Sequence, residues 1–362
     1  MTTRATAKTP VPGRDYGYGN ARVRGMRSRL LDGAFLEGLV EAADVPHIFQ
    51  LLADTEYQSD VETEALKGRT PATMDEALAV NIVRTFRKIM GFLNTEAYGL
   101  VTTLLGRWDL FNIKSIIRGK HVHLTADEIE DGLYAVGSLG TVDLRLLAGL
   151  QDARSVVDTL LTWGSPYGES LRESLPKYES DGDLAQLELA LDRFYYAWAA
   201  ERLTGRGVNA ALARGVLGLQ VDSINLLSTF RLLKSDIGDV EPSMFFLDGG
   251  AHISRELFLQ MAALSDVDEV LDALKSTPYT GQLEGVVVRY EQERSIAVFE
   301  RALEDYVLRK ALDAGRGDPL GIGIVIGYLW AKQNEVTNLR IIVKGNSVGM
   351  PADRMRKELI LV

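Results

Sequence analysis

"DLFNIKSIIR", Asp109 to Arg118, is the first of three stretches of this sequence that share one pattern. "DSINLLSTFR" runs from Asp222 to Arg231 and "EVTNLRIIVK" from Glu335 to Lys344, so each copy begins 113 residues after the last. An acid opens each copy, Asn follows three residues later, and a base closes it. Of the nine Asn in the chain, only these three have an acid three residues before them. The nine candidate residues are Asp109, Asn112, Arg118, Asp222, Asn225, Arg231, Glu335, Asn338 and Lys344.

Two further features recur in phase with this signature. An acid-x-x-Leu step precedes each Asn by 37 or 38 residues, and an apolar stretch ending in Tyr lies upstream of each step. The acids of the three steps are Asp75, Glu188 and Glu300, and the three tyrosines are Tyr57, Tyr167 and Tyr279. The pattern predicts a triplication, with units at 16–131, 132–247 and 248–362 behind a disordered tail at 1–15. Three similar units form either a closed ring or an open stack.

Helix signals dominate the chain, whereas strand signals are scarce. Asn20, Asp44 and Ser254 each precede an apolar pattern of helical period and are predicted N-caps. Thr125 and Glu128 form a predicted capping box. We therefore expect an all-α fold of three similar multi-helix domains.

Glycines follow the signature in two of the three copies. Gly119 and Gly345 are predicted C-caps of the first and third signature helices. The second copy has "RLLK" at this place, so its helix is expected to continue or to end differently.

On a helix, the acid and the Asn of each copy lie on neighbouring turns of one face. The base lies nine residues from the acid and therefore on roughly the opposite side, so the two cannot pair within the helix. One hypothesis is that the base of each unit meets an acid of the next unit. The alternative is that the bases pair within their own unit or are solvated.

Composition excludes several classes of function. The net charge of −10 argues against nucleic acid as a partner, because phosphate binding needs clustered Lys and Arg. There are no cysteines, so thiolate catalysis and disulfides are excluded. The longest apolar run, Leu320 to Ala331, has twelve residues, whereas a bilayer span needs about 20, so it is predicted to be a buried core helix.

No catalytic or ligand-binding motif stands out. The glycines of "GIGIVIG", 321–327, lack the spacing and the βαβ context of a dinucleotide loop and are better explained by close helix packing. His121 and His123 have no further ligand at metal-binding spacing. We therefore expect no catalytic residue, no cofactor and no metal.

Three stretches carry a resemblance to a known family. "YGYGNARVRGMRSRLL" (Tyr16–Leu31), "WDLFNIKSIIRGK" (Trp108–Lys120) and "PLGIGIVIGYLWAKQNEVTNLRIIVKG" (Pro319–Gly345) resemble the C subunit of the V/A-type ATPases. That protein is similar to the d subunit of eukaryotic vacuolar pumps. The resemblance covers the chain from about Tyr16 to its C-terminus.

The resemblance implies a pseudo-threefold funnel of helices that turns with the rotor of an ion-translocating ATPase. It implies one copy per complex, on the cytoplasmic face of the membrane, without a span of its own. The expected partners are the central-shaft subunits D and F and the proteolipid ring, and the coupled ion is a proton or sodium. The alternative is a helical repeat scaffold unrelated to rotary ATPases.

Overall fold

The computed structural model describes residues 15–234 and 241–362, and the fold in these ranges is all-α. The predicted tail lies outside the described residues except for Asp15, which begins α1. The first helices are α1 (Asp15–Arg27), α2 (Gly33–Val40), α3 (Val45–Leu52), α4 (Gln58–Ala65), α5 (Pro71–Met90), α6 (Thr95–His121) and α7 (Ala126–Glu130). They are followed by α8 (Thr141–Gly149), α9 (Ala153–Thr162), α10 (Pro166–Arg172), α11 (Leu175–Asp181), α12 (Leu184–Arg202), α13 (Val208–Lys234) and a 3₁₀ helix (Pro242–Phe245). The last are α14 (Arg255–Ala262), α15 (Val267–Ala273), α16 (Thr280–Glu284), α17 (Val287–Glu293), α18 (Ala297–Asp313), α19 (Gly323–Ser347) and α20 (Ala352–Glu358).

The three signature stretches lie on α6, α13 and α19, which have 27, 27 and 25 residues. At 1.5 Å per residue each of these helices is about 40 Å long. The predicted core helix at Leu320–Ala331 is buried from Gly321 onward, whereas Leu320 is exposed. Its helical part forms the start of α19, where a Cβ at Gly327 would lie 3.1 Å from the Ala311 carbonyl oxygen of α18. None of the described helices combines the length and the apolar character needed to cross a bilayer.

An aspartate N-cap opens the apolar helix of each predicted unit. Asp44, Asp152 and Asp266 accept from the backbone N–H three residues later, at 2.8–2.9 Å, and so begin α3, α9 and α15. Such a cap stabilises a helix by about 1 kcal/mol. The predicted caps at Asp44, Thr125 and Ser254 are therefore confirmed.

The predicted cap at Asn20 is wrong, because α1 already begins at Asp15. Asn20 is buried, and its Nδ2 donates to the Gly321 carbonyl oxygen at 3.0 Å. The residue therefore joins α1 to the start of α19 instead of starting a helix.

The predicted C-caps at Gly119 and Gly345 are also wrong, because α6 continues to His121 and α19 to Ser347. A Cβ on Gly119 would lie 2.5 Å from the Ile129 side chain, and one on Gly345 would lie 2.6 Å from the Met355 sulfur. Both glycines therefore allow the next short helix to pack closely. The second signature helix is described as far as Lys234, and the prediction about how it ends lies outside the described residues.

Each long helix packs against a helix that carries one acid-x-x-Leu step. The pairs are α6 with α12, α13 with α18, and α19 with α5. The step acids Glu188, Glu300 and Asp75 lie on these partner helices in that order. The third pair returns to the beginning of the chain, because α19 packs there against α5.

The long helices also meet one another at two levels. At their first turns, Asn209 of α13 accepts from the Ile322 N–H before α19 at 2.9 Å, and Tyr16 lies beside both Asn209 and Glu96 of α6. Eleven residues further on, at positions 107, 220 and 333, all three helices line one cavity. Equivalent positions of the three helices, which are 113 residues apart in sequence, therefore lie close together at both levels. This means that the three helices run parallel to one another between the two levels.

Candidate functional site

The three signature Asn residues are completely buried, and each binds a whole peptide group. In every copy the side-chain amide donates to the carbonyl oxygen and accepts from the N–H of one residue 22 positions later. Only a carboxamide carries a donor and an acceptor side by side in this way. The partners, at 2.7–3.1 Å, are Tyr134 for Asn112, Leu247 for Asn225 and Ile360 for Asn338.

The first two signature acids bind the backbone just before the next helix. Asp109 accepts from Ser138 and Leu139 at 2.7–3.0 Å, directly before α8. Asp222 accepts from three successive N–H groups ending with that of Ile253 at 3.1 Å, directly before α14. Burial raises the pKa of Asp109, whereas these hydrogen bonds lower it. Both acids therefore fix the start of a helix in the next predicted unit.

Glu335, the third acid, completes the series at the other end of the chain. Its carboxylate accepts from the Leu31 N–H at 2.5 Å, immediately before the N-cap of α2. It also pairs with Lys332 at 2.8 Å, and burial lowers the pKa of that lysine. The third acid therefore binds the backbone just before α2, as the first two bind the backbone just before α8 and α14.

Glycines allow the backbone to reach the first two acids. Gly137 and Gly250 each lie 28 residues after the acid, and a Cβ at either position would overlap its carboxylate. Sequence reasoning missed this pair. Their equal distance from the acid is the signal that identifies them.

The three tyrosines found in phase with the signature lie against the same helices. Tyr57 donates to Glu335 at 2.7 Å and Tyr279 donates to Asp222 at 2.6 Å. Tyr167 donates to the Gly106 carbonyl oxygen at 3.1 Å, one turn before the first signature acid. Burial, and then the charge of the nearby acid, raises the pKa of each phenol, which keeps it a hydrogen-bond donor. We call each acid, Asn and tyrosine set, with the backbone it binds, a joint.

Arg118 is the one predicted base that makes an ion pair with a step acid. Its guanidinium donates to both oxygens of Glu188 on α12, at 2.5 and 2.6 Å. Lys114, one turn earlier, pairs with Asp192 of the same helix at 2.6 Å. The sequence reasoning did not identify Lys114.

The other two bases behave differently. Within the described ranges no carboxylate lies within 4 Å of Arg231. Burial raises the pKa of Glu300, and the positive charge of Arg231 partly offsets this increase. Lys344 is exposed and likewise has no such partner among those residues. Arg340, one turn earlier, pairs instead with Asp75 of α5. In the third copy the contact with the step acid is thus displaced by one turn.

The chemistry available to this arrangement is that of structural hydrogen bonding. N–H and O–H donors bind the carboxylates of all three signature acids. Hydrogen bonds to a charged group contribute about 1.5–3 kcal/mol each. Within 15–234 and 241–362 no three His, Asp or Glu side chains converge as metal ligands, and His121 lies 3.2 Å from the Tyr178 hydroxyl.

Comparison with known proteins gives consistent matches over nearly the whole chain. The family model described as "ATP synthase (C/AC39) subunit" matches residues 19–358. The C subunit of the A-type ATP synthase of Haloquadratum walsbyi is 29% identical over 97% of this chain and 99% of its own length. The corresponding A-type C subunit of Methanobrevibacter smithii is 30% identical over 94% and 87%, and that of Methanocaldococcus jannaschii is 28% identical over 95% and 86%.

Proposed function

The chain belongs to the ATP synthase (C/AC39) subunit family, and on this premise we propose that it is a non-catalytic rotor subunit. It acts as a socket that couples the central shaft, subunits D and F, to the membrane proteolipid ring. ATP turnover is thereby linked to the transport of protons or sodium ions. The alternative of an unrelated helical scaffold has no support in the family match.

The proposed architecture is a pseudo-threefold funnel of units 16–131, 132–247 and 248–362. The observation that supports it is the closed cycle of joints. The acid of the first long helix binds the start of α8, the second binds the start of α14, and the third binds the start of α2. In an open stack the third acid would lie far from the start of the first unit, whereas Glu335 binds Leu31 there.

This cycle suits a part that transmits torque. Twisting one unit against another strains buried hydrogen bonds on every side of the ring, because each unit is held by both neighbours. Close packing adds resistance, since protein interiors have low compressibility. We assign the three acids and the three Asn residues to the joints. We assign the bases Arg118, Arg231 and Lys344 to the rim at the C-terminal ends of the long helices.

The proposed location is the cytoplasmic face of the membrane, with one copy per complex. The shaft and the proteolipid ring would contact opposite ends of the three parallel helices. The net charge of −10 leaves nucleic acid an unsuitable partner.

Site-directed crosslinking tests the socket role, because the chain has no cysteine of its own. Val208→Cys and Leu320→Cys place a thiol at the N-terminal end of the long helices, where these side chains are 68% and 62% exposed. Val122→Cys and Val348→Cys place one at the C-terminal end, at 60% and 68% exposure. Each variant would carry a photocrosslinker on its cysteine and be assembled into the membrane complex.

We expect both variants of one end to crosslink to the shaft and both variants of the other end to crosslink to the proteolipid ring. The unmodified chain, which has no thiol, is the control. If neither end reaches either partner in assembled complexes, the socket role is wrong.

A further inference from the structure

The cavity where the three long helices meet has a volume of about 220 Å³. Its walls come mainly from α13, α18 and α19, and Arg107 of α6, Tyr196 of α12 and Ile360 also line it. A water molecule occupies about 30 Å³ in the liquid, so the space holds roughly seven waters or one side chain.

Arg107 brings a positive charge to this cavity and makes no ion pair within the described ranges, although the charge of Glu304 acts on it. Its guanidinium lies over the Trp330 ring, 4.6 Å from the centroid. Within the described ranges no carboxylate oxygen lies within 4 Å of it. Arg301 and Glu304, the other charged residues of the wall, pair with each other at 2.8 Å. Arg107, Arg301 and Glu304 together leave the cavity one net positive charge, which favours a bound counter-charge.

Two amides accompany this charge. Gln220 and Gln333 occupy the positions equivalent to Arg107 on the other two long helices, 113 and 226 residues later. Both line the cavity, and the Oε1 atom of each is buried without a hydrogen-bond partner. Each carboxamide also carries an Nε2 group, which is a hydrogen-bond donor that can bind an anion. The three equivalent positions thus supply one guanidinium and two free amides to a single space.

We propose that this cavity binds one carboxylate, held by the Arg107 fork and completed by the amides of Gln220 and Gln333. A guanidinium matches the two coplanar oxygens of a carboxylate with two parallel hydrogen bonds. The single net positive charge of the cavity balances one carboxylate, but it neutralises only half of a doubly charged phosphate. The negative charge of Glu304 in the same wall further disfavours phosphate.

The occupant is a carboxylate-bearing side chain or C-terminus of a docked polypeptide, since the space fits one such group. Its identification with the foot of the shaft rests on the proposed function. The existence of the carboxylate site does not.

Tryptophan fluorescence provides a direct test, because Trp330 stacks with Arg107. The full chain would be titrated with sodium acetate and, separately, with sodium phosphate, at an ionic strength held constant with NaCl. We expect a saturable response to acetate that Trp330→Phe removes. Arg107→Gln should weaken acetate binding by about tenfold to a hundredfold, the loss expected for a hydrogen-bonded charge pair.

Arg172→Gln is the matched control, because it removes the same charge from an exposed i,i+3 pair with Glu169. It should bind acetate like the unmodified chain. If Arg107→Gln does not fold, Arg107→Lys keeps the charge, loses the fork, and should bind more weakly than the unmodified chain. Equal acetate binding by the Arg107 variant and the unmodified chain would overturn the site, as would tighter binding of phosphate than of acetate.

A second arm measures capture of the purified shaft subunits. Weaker capture by Arg107→Gln, with no such loss in Arg172→Gln, identifies the shaft as the source of the carboxylate. Acetate binding with unaltered shaft capture supports the site and assigns it to another source. Absence of both acetate binding and any effect on shaft capture would refute the proposal while leaving the crosslinking test of the socket intact.

Discussion

Replacing Asn225 by Ala would test whether a signature Asn stabilises the fold by binding the peptide group 22 residues later in the chain. The side chain is completely buried and makes two hydrogen bonds to Leu247, both at 2.9 Å. The substitution removes both bonds and leaves a buried N–H and a buried carbonyl group unpaired, because Leu247 is only 2% exposed.

The magnitude follows from these two groups. A buried polar group that loses its partner costs about 1–3 kcal/mol. We therefore expect Asn225→Ala to lower the free energy of unfolding by roughly 3 kcal/mol. For a chain of 362 residues this lowers the midpoint of thermal unfolding by about 4 °C.

Two measurements check this prediction. Circular dichroism during thermal unfolding gives the midpoint, and peptide-resolved hydrogen exchange gives the protection of the Leu247 amide, which should fall selectively. Ser228→Ala, on the next turn of the same helix, removes a part-exposed hydroxyl and should change stability by less than about 0.5 kcal/mol. A variant with unaltered Leu247 protection, or with a midpoint equal to that of Ser228→Ala, would refute the assigned role.

Three further substitutions test other contacts. Gly119→Ala should lower the free energy of unfolding in urea by about 1–3 kcal/mol, because the added Cβ collides with the next helix. Gly99→Ala on the same helix has open space around it and should not lower the free energy of unfolding. Equal effects of the two substitutions would contradict the packing argument. A double-mutant cycle of Arg118→Ala and Glu188→Ala should give a coupling energy of about 0.2–1 kcal/mol, as expected for a part-exposed ion pair. This coupling energy should fall in high salt, and a coupling energy insensitive to salt would argue against the ion pair. Tyr57→Phe removes a donor to a buried carboxylate and should cost about 1.5–3 kcal/mol by thermal unfolding, and an unchanged midpoint would mean that this bond contributes nothing.

Much of the fold follows from local sequence. Helical periodicity and N-caps depend on neighbours within four residues, and the caps at Asp44, Thr125 and Ser254 lie where the sequence predicts them. The even spacing of the signature could be read without any structure. The prediction for Asn20 is wrong because a polar residue before an apolar helical pattern can have either of two roles. It can cap the helix, or it can lie inside the helix and bind a distant segment of the chain, as Asn20 does.

The joints could not be predicted because their partners are distant in sequence or irregular in structure. Asn112 binds a loop residue 22 positions away, and Glu335 binds Leu31, 304 positions away. Gly119 illustrates the same limit, since a glycine near a helix end serves equally as a cap or as a place for close packing. Only the position of the following helix decides between the two.

The bond between Glu335 and Leu31 also bears on how the polypeptide is made. At a synthesis rate of 5–20 residues per second, the N-terminal partner emerges roughly 15–60 s before the glutamate that completes it. During that interval the buried hydroxyl of Tyr57 lacks its acceptor, and the first segment lacks the helix against which α5 packs. The apolar surface of this first segment must therefore stay exposed or be bound by chaperones until translation is nearly finished. The last step of folding is then the slow formation of contacts between the two ends of the chain.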